Sequence, residues 1–250
     1  MRRSIALMAM FSLAVAACGG DDGGEGAAAC DAFIAIDQAF TLDEDLEAGT
    51  VALEDFVAAA PDNVASEVEP LIPFLKDDVE AALESDELAA AEAAGDAYAL
   101  DNCGDTRVDV EGFNFAFPGM PSELEAGRVA FNLTNQTQTD EAHEALLLRK
   151  NDGVTETPHD ILSSALGASI SVDATLEALE QFTLVAVGFV EPEGGDTQDV
   201  FVADLEPGEY IVACLLPVNS ADLLEAYFAG EELEGSSHFD AGMFAEFTVK

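Results

Sequence analysis

The chain has 250 residues, with 51 acidic against 8 basic side chains and a formal net charge of −43. That balance excludes nucleic acid and anionic lipid surfaces as partners recognised through charge, and it favours basic partners and cation-rich surroundings. Hydrophobic residues make up 49%, ample for a packed core, and the length suits one to two domains. The acidic runs DDGGE and EELE lack calcium-loop spacing, and no Gly-rich phosphate loop, zinc-protease motif or nucleophile elbow occurs. With three His and no constellation to support hydrolysis, no catalytic residues and no enzyme activity are expected.

Met1-Arg2-Arg3 is a short positive region, and Ser4 to Ala17 is an apolar stretch too short to span a bilayer stably. It ends Val15-Ala16-Ala17-Cys18, which resembles a bacterial lipobox. The resemblance implies a signal peptide over 1–17, lipidation of Cys18 and an anchor on the outer face of the cell membrane. An ordinary secretory peptide cleaved near Ala17 is the alternative. Loss of Arg2 and Arg3 with the signal takes the charge from −43 to −45, since two of the eight basic residues leave. Residues 18–29, with the run GGDDGGEGAAA, read as a flexible tether. Export implies an oxidising compartment in which disulfides persist.

Residues 30–104 are rich in Ala, Leu and Glu and read as helical. Phe33, Ile36 and Phe40 fall on one helix face, and Leu46, Leu53, Phe56 and Val57 form a second segment stopped by Pro61. A third runs through Val68, Leu71, Ile72, Leu75 and Val79, with Pro70 and Pro73 as points of kinking or breakage. A fourth covers Leu83 to Leu100. Short connections between four amphipathic segments predict a small antiparallel bundle.

From Arg107 the period changes to two. Val108, Val110, Phe113, Phe115 and Phe117 largely alternate, as do Val129, Phe131 and Leu133. Ala145-Leu146-Leu147-Leu148 reads as a strand preceded by His143, and residues 158–181 read as helical from Pro158. Phe182–Val190, Asp199–Leu205, Tyr210–Leu216 and Phe244–Val249 complete the strands. Short strands with Pro/Gly turns over 105–250 predict a β-sandwich, and the whole an α+β two-domain chain.

Four Cys then constrain the reading. Cys18 is assigned to lipid. Cys30 and Cys103 flank the helical unit and would tie its ends in a disulfide, leaving Cys214 unpaired. A Cys103–Cys214 pairing with Cys30 odd is the alternative. Cys214 ends a run of alternating apolar residues in LEPGEYIVACLLP, and His238 and Met243 follow as H-x4-M in HFDAGM. A thiolate, an imidazole and a thioether form a soft donor set that suits copper, and His143 is the candidate second imidazole. His159, at a helix start, reads as structural or exposed.

Over 107–250 the motifs LEAGRVAFNLTNQT, the downstream His143, LEPGEYIVACLLP and HFDAGM together resemble the cupredoxins of the plastocyanin and azurin type. The resemblance implies a Greek-key β-sandwich binding one type 1 copper ion through His143, Cys214, His238 and Met243, for electron transfer or copper handling. It also implies a redox or copper-donor protein as partner, which the charge makes basic. The chain departs from the family between Cys214 and His238, where 218–237 reads as a helical insertion carrying Leu223, Leu224, Tyr227 and Phe228. That insert is either a decoration packed on the sandwich or a lid over the site. The helical unit resembles modules of exported actinobacterial proteins. A metal-free binding or structural module of the envelope is the competing function.

Overall fold

The computed structural model describes residues 25–42, 45–83, 85–136, 141–166, 169–170, 179–192, 198–229 and 233–250. The expected signal at 1–17 and the lipidation site Cys18 lie outside the described residues. The chain divides into two compact units between Gly104 and Asp105. No helix among the described residues is long and apolar enough to cross a membrane.

The first unit is helical. It comprises α1 (Glu25–Asp37), a π-helical turn (Gln38–Leu42), α2 (Leu46–Ala59), α3 (Asp62–Val68), α4 (Leu71–Asp77), α5 (Val79–Leu83) and α6 (Asp86–Asn102). α1 begins inside the stretch expected to be a tether to residue 29. Its Ala-rich start has the strongest helix propensity available, Ala29 is buried, and the Tyr98 hydroxyl donates to Gly26 O at 3.4 Å. The expected third segment is three helices. Pro70 breaks it at the N-terminus of α4, and Asp78 ends α4 in an extended conformation. Pro73 is tolerated because it sits in the first turn, where backbone N–H groups lack intrahelical partners. Asp45 caps α2 by accepting from Ala48 N, and Ser85 caps α6 by accepting from Leu88 N. In the core, Phe56 lies between Phe33 and Tyr98, with ring centroids 6.1 and 5.7 Å apart. Cys30 and Cys103 form a disulfide. That selects the pairing around the helical unit and leaves Cys214 free and buried.

The second unit is a β-sandwich. Its strands are β1 (Thr106–Gly112), β2 (Glu123–Leu124), β3 (Gly127–Asn135), β4 (His143–Lys150), β5 (Ser169–Ile170), β6 (Phe182–Val190), β7 (Gln198–Leu205), β8 (Gly208–Ala213), β9 (Leu233–Glu234) and β10 (Phe244–Val249). Helices α7 (Pro158–Leu166) and α8 (Ser220–Phe228) complete it. One sheet has the order β1-β3-β7, a second β2-β10-β8-β4-β6, and β5 pairs with β9. Alternation decides which side chains meet between the sheets. Val108 and Val110 of β1, Val129, Phe131 and Leu133 of β3, and Phe201 and Ala203 of β7 face inward from one sheet. Leu147 of β4, Ala186 of β6, Val212 of β8 and Phe247 of β10 face them. Phe131 and Phe201 stack at 4.9 Å. The outer face of the larger sheet, with Leu146, Leu148 and Ile211, is covered by Ile161 and Leu162 of α7. At the Pro-Gly turn between β7 and β8, the buried Tyr210 hydroxyl donates to Glu206 O at 2.8 Å and accepts from Glu206 N at 3.1 Å. The turn is thereby fastened to the strand that follows it.

Two expectations are corrected here. The alternation at Phe113–Phe117 is not a strand. Asn114 and Phe115 have φ of 47° and 59°, and Phe113 and Ala116 bond each other across a tight turn. Aromatic residues imitate strand period while the backbone reverses. The helix expected over 158–181 is interrupted: α7 ends at Leu166 and β5 follows, while Leu179 is again helical; residues 167–168 and 171–178 lie outside the described residues.

Candidate metal centre

The sheet register brings the first donors together. β4 and β8 are antiparallel, with Leu146 opposite Ala213. Continuing that register sets Ala145 opposite Cys214, so the start of β4 and the end of β8 meet at one edge of the sandwich. His143 is the first residue of β4 and Cys214 directly follows β8. Both are 0% exposed.

The 218–237 segment leaves and returns as an antiparallel stem. Pro217 bridges Ser237, Val218 N donates to Ser236 O, and His238 N donates to Leu216 O at 2.8 Å. The insertion therefore closes on itself and delivers His238 two residues across from Cys214's own strand exit. A tight turn follows, in which Gly242 takes φ of 107°, a conformation that favours glycine. Met243 N donates to His238 O at 2.9 Å, and Cys214 N donates to Met243 O at 3.1 Å. Met243 is fully buried, with its backbone tied to both other residues of the loop.

The donor atoms converge. His143 Nδ1 lies 3.3 Å from His238 Nδ1, and Cys214 Sγ lies 3.2 Å from His238 Nδ1. One ligand atom from each of the three residues falls within 4.8 Å of the others. Desolvation by burial lowers the His143 pKa from 6.5 to about 4, and the neighbouring His238 adds to the fall. Burial also lowers that of His238, against the pull of Glu141. Both imidazoles are thus held neutral, the form that ligates a metal. Burial and the Glu144 charge push the Cys214 thiol up, while the N–H groups of Glu144 and Leu216 act against them. Without a cation the thiol keeps its proton; a soft cation would displace it. His143 Nε2 has no hydrogen-bond partner. Two neutral imidazoles, one thiol and a buried Met fit a copper ion, because soft donors in a desolvated cluster leave carboxylate-loving cations without oxygen ligands.

Several residues of the site were not singled out from sequence. Glu141 accepts from Asn219 N at 2.9 Å, Ser220 N at 2.8 Å and Ser220 Oγ at 2.8 Å, and its Oε2 lies 3.1 Å from His238 Nε2. Glu144 is buried, with its carboxyl raised to about 7 by desolvation. Its Oε1 accepts from Leu215 N at 2.8 Å, and its own N–H donates to Cys214 Sγ at 3.4 Å. Phe115 lies edge-on to the His238 ring, with centroids 4.8 Å apart. The only available signal was the local run Glu141-Ala142-His143-Glu144, acids on both sides of a ligand, in a chain with 51 acids. His159 stays apart. Its side chain is 39% exposed, its Nε2 lies 3.2 Å from Ser163 Oγ and its ring packs on Phe244.

Gly112, at the end of β1, is the seat of the His143 ring. A Cβ added there would lie 2.7 Å from His143 Cδ2 and 3.1 Å from Cγ. Gly112→Ala is expected to push the ring off its position, costing about 1–3 kcal/mol as overpacking does. Denaturant unfolding of the copper-free protein, followed by copper titration of the same variant, checks both the stability loss and the weaker metal binding.

No family model matches the chain. No curated protein matches it either. Among solved structures, the "blue" copper protein auracyanin A of Chloroflexus aurantiacus is similar at TM-score 0.35 and 15% identity, over 58% of this chain and 98% of that one. Reduced auracyanin of Roseiflexus castenholzii gives 0.35 and 13%, over 59% and 98%. Rusticyanin of Thiobacillus ferrooxidans gives 0.32 and 17%, over 59% and 79%. The weight of the assignment rests on the donors themselves rather than on these likenesses. The second unit is a β-sandwich whose buried His143, Cys214 and His238 cluster fits a single copper ion.

Proposed function

We propose that this protein is an electron carrier that binds one copper ion through His143, Cys214 and His238, with Met243 as the weak axial donor. The observation that supports it is the convergence of two Nδ1 atoms and one Sγ in a fully buried cluster. Bound copper supplies a one-electron couple between Cu(II) and Cu(I). The chain's own part is to hold the donors still, since backbone bonds link Cys214, His238 and Met243. Burial favours electron transfer over copper delivery, because handing over an ion needs a donor that an incoming ligand can reach, and all three are 0% exposed. Phe115, half-buried, reaches from the His238 ring to a surface pocket of about 400 Å³ shared with Val218, Leu223 and Asp240. A redox partner with a basic surface suits that face, given the net charge of −43. Titration with Cu(II) is expected to saturate at one ion per chain and give the intense blue thiolate band of type 1 sites. Saturation without that band would defeat the reading.

The proposed location is the outer face of a bacterial cell membrane, through lipid on Cys18. The motif VAAC at 15–18 supports it, and the Cys30–Cys103 bridge suits an oxidising compartment. Expressed with its own leader, the protein is expected to partition into detergent, and Cys18→Ser to release it or arrest its maturation. Unchanged detergent partitioning in the variant would remove the anchor.

A further inference from the structure

We propose that Glu141 is a positioning residue for the metal centre, one that accepts the His238 Nε2 proton and so leaves His238 Nδ1 bare and aimed at the ion. The inference rests on the copper reading for its redox consequences, but its proton placement stands on the chain alone.

Glu141 is 6% exposed and its carboxylate takes three donors from the start of α8: Asn219 N, Ser220 N and Ser220 Oγ. Two backbone N–H groups, which can only donate, and a hydroxyl already point at its oxygens, so the carboxylate is set as an acceptor. The contact between Glu141 Oε2 and His238 Nε2 at 3.1 Å therefore needs the proton on Nε2. In the neutral ring Nδ1 then carries a lone pair, and it faces Cys214 Sγ at 3.2 Å and His143 Nδ1 at 3.3 Å. The Ser220 hydroxyl has one proton, which goes to Glu141, and its oxygen accepts from Ala142 N at 2.7 Å. In this chain of contacts each proton is donated once, and Glu141 only accepts.

Two consequences follow. The insertion is part of the metal centre, because the turn that opens α8 orients the carboxylate that orients the ligand. And a carboxylate on the far nitrogen makes an imidazole a stronger base, which favours Cu(II) over Cu(I) and lowers the reduction potential.

The test begins with the copper-free protein. Its 15N imidazole spectrum should show His238 protonated at Nε2 alone; a proton on Nδ1, or a mixture of the two forms, would overturn the proposal whatever happens with copper. In the loaded protein, Glu141→Gln keeps the shape and removes the charge. It is expected to keep the blue band, weaken Cu(II) binding roughly 10–100-fold, leave Cu(I) binding less affected and move the potential positive. Ser220→Ala, which loosens the carboxylate without touching a ligand, should shift the potential in the same direction by less. Unchanged potential and Cu(II) affinity in Glu141→Gln would sink the idea. Should that variant not fold, the wild-type 15N spectrum and Ser220→Ala decide it. A wild type that binds no copper would defeat the copper reading, and the 15N spectrum would still decide where the proton sits.

Discussion

Cys214→Ala is expected to abolish the blue band outright. The sulfur is the only free thiol among the described residues and is fully buried, so no neighbouring thiol can take its place. Two neutral imidazoles and a thioether would remain, without the anionic donor that makes the site a net match for a cation. Copper will still be bound weakly by a chain with 51 acids, which is why the spectrum is the measurement and total copper is not. His143→Ala and His238→Ala should weaken binding or admit water. Met243→Leu should keep the colour and shift the potential, because an axial thioether is a weak donor. His159→Ala serves as the control, since its ring lies among Phe239 and Phe244 and away from the cluster. A band that survives Cys214→Ala unchanged would show that the assigned thiol is not the ligand.

The second large effect is expected in the helical unit. The Cys30–Cys103 bridge closes a loop with a sequence separation of 73. On the chain-entropy account a loop of that size is worth about 4 kcal/mol. The helices it ties are short, and small domains have little stability to spare. Cys30→Ala with Cys103→Ala should therefore lower the unfolding midpoint of the helical signal or leave this unit unfolded at 37 °C. The double replacement also leaves no second thiol among the described residues to pair wrongly with Cys214. Circular dichroism during denaturant titration checks it, with the blue band recorded alongside. An unmoved midpoint would mean that packing around Phe56 alone holds the unit.

Much of the sandwich was legible because strand period and turn residues act locally. Phe182–Val190 is a strand with the bounds its sequence suggests, and β4 begins at His143. The donor set was legible for a different reason: with three His in the chain, few combinations with Cys214 exist. What local pattern could not show was decided by tertiary contact. Phe113, Phe115 and Phe117 alternate like a strand, yet Phe115 leaves the sheet to lie against His238. Glu141 and Glu144 look like any other acid, and only the folded chain supplies the N–H groups of Ser220 and Leu215 that make their burial tolerable. Gly112 carries no donor at all; its importance is the space it leaves for His143. The insertion separates Cys214 from His238 by 24 positions along the chain. Its antiparallel stem cancels that distance.

The position of the bridge along the chain also has a bearing on timing. Synthesis runs from the N-terminus, so Cys30 and Cys103 emerge before Cys214 does. At ordinary rates the interval between Cys103 and Cys214 is roughly 5–20 s. Wherever an oxidant meets the growing chain, the two early thiols can find each other while the third is still to come. By the time Cys214 appears, those two thiols can already be joined. The residues that then enclose it, through Met243, follow within a few seconds. A thiol that must stay reduced is thus protected twice: first by its late place in the chain, then by the sheet that closes over it.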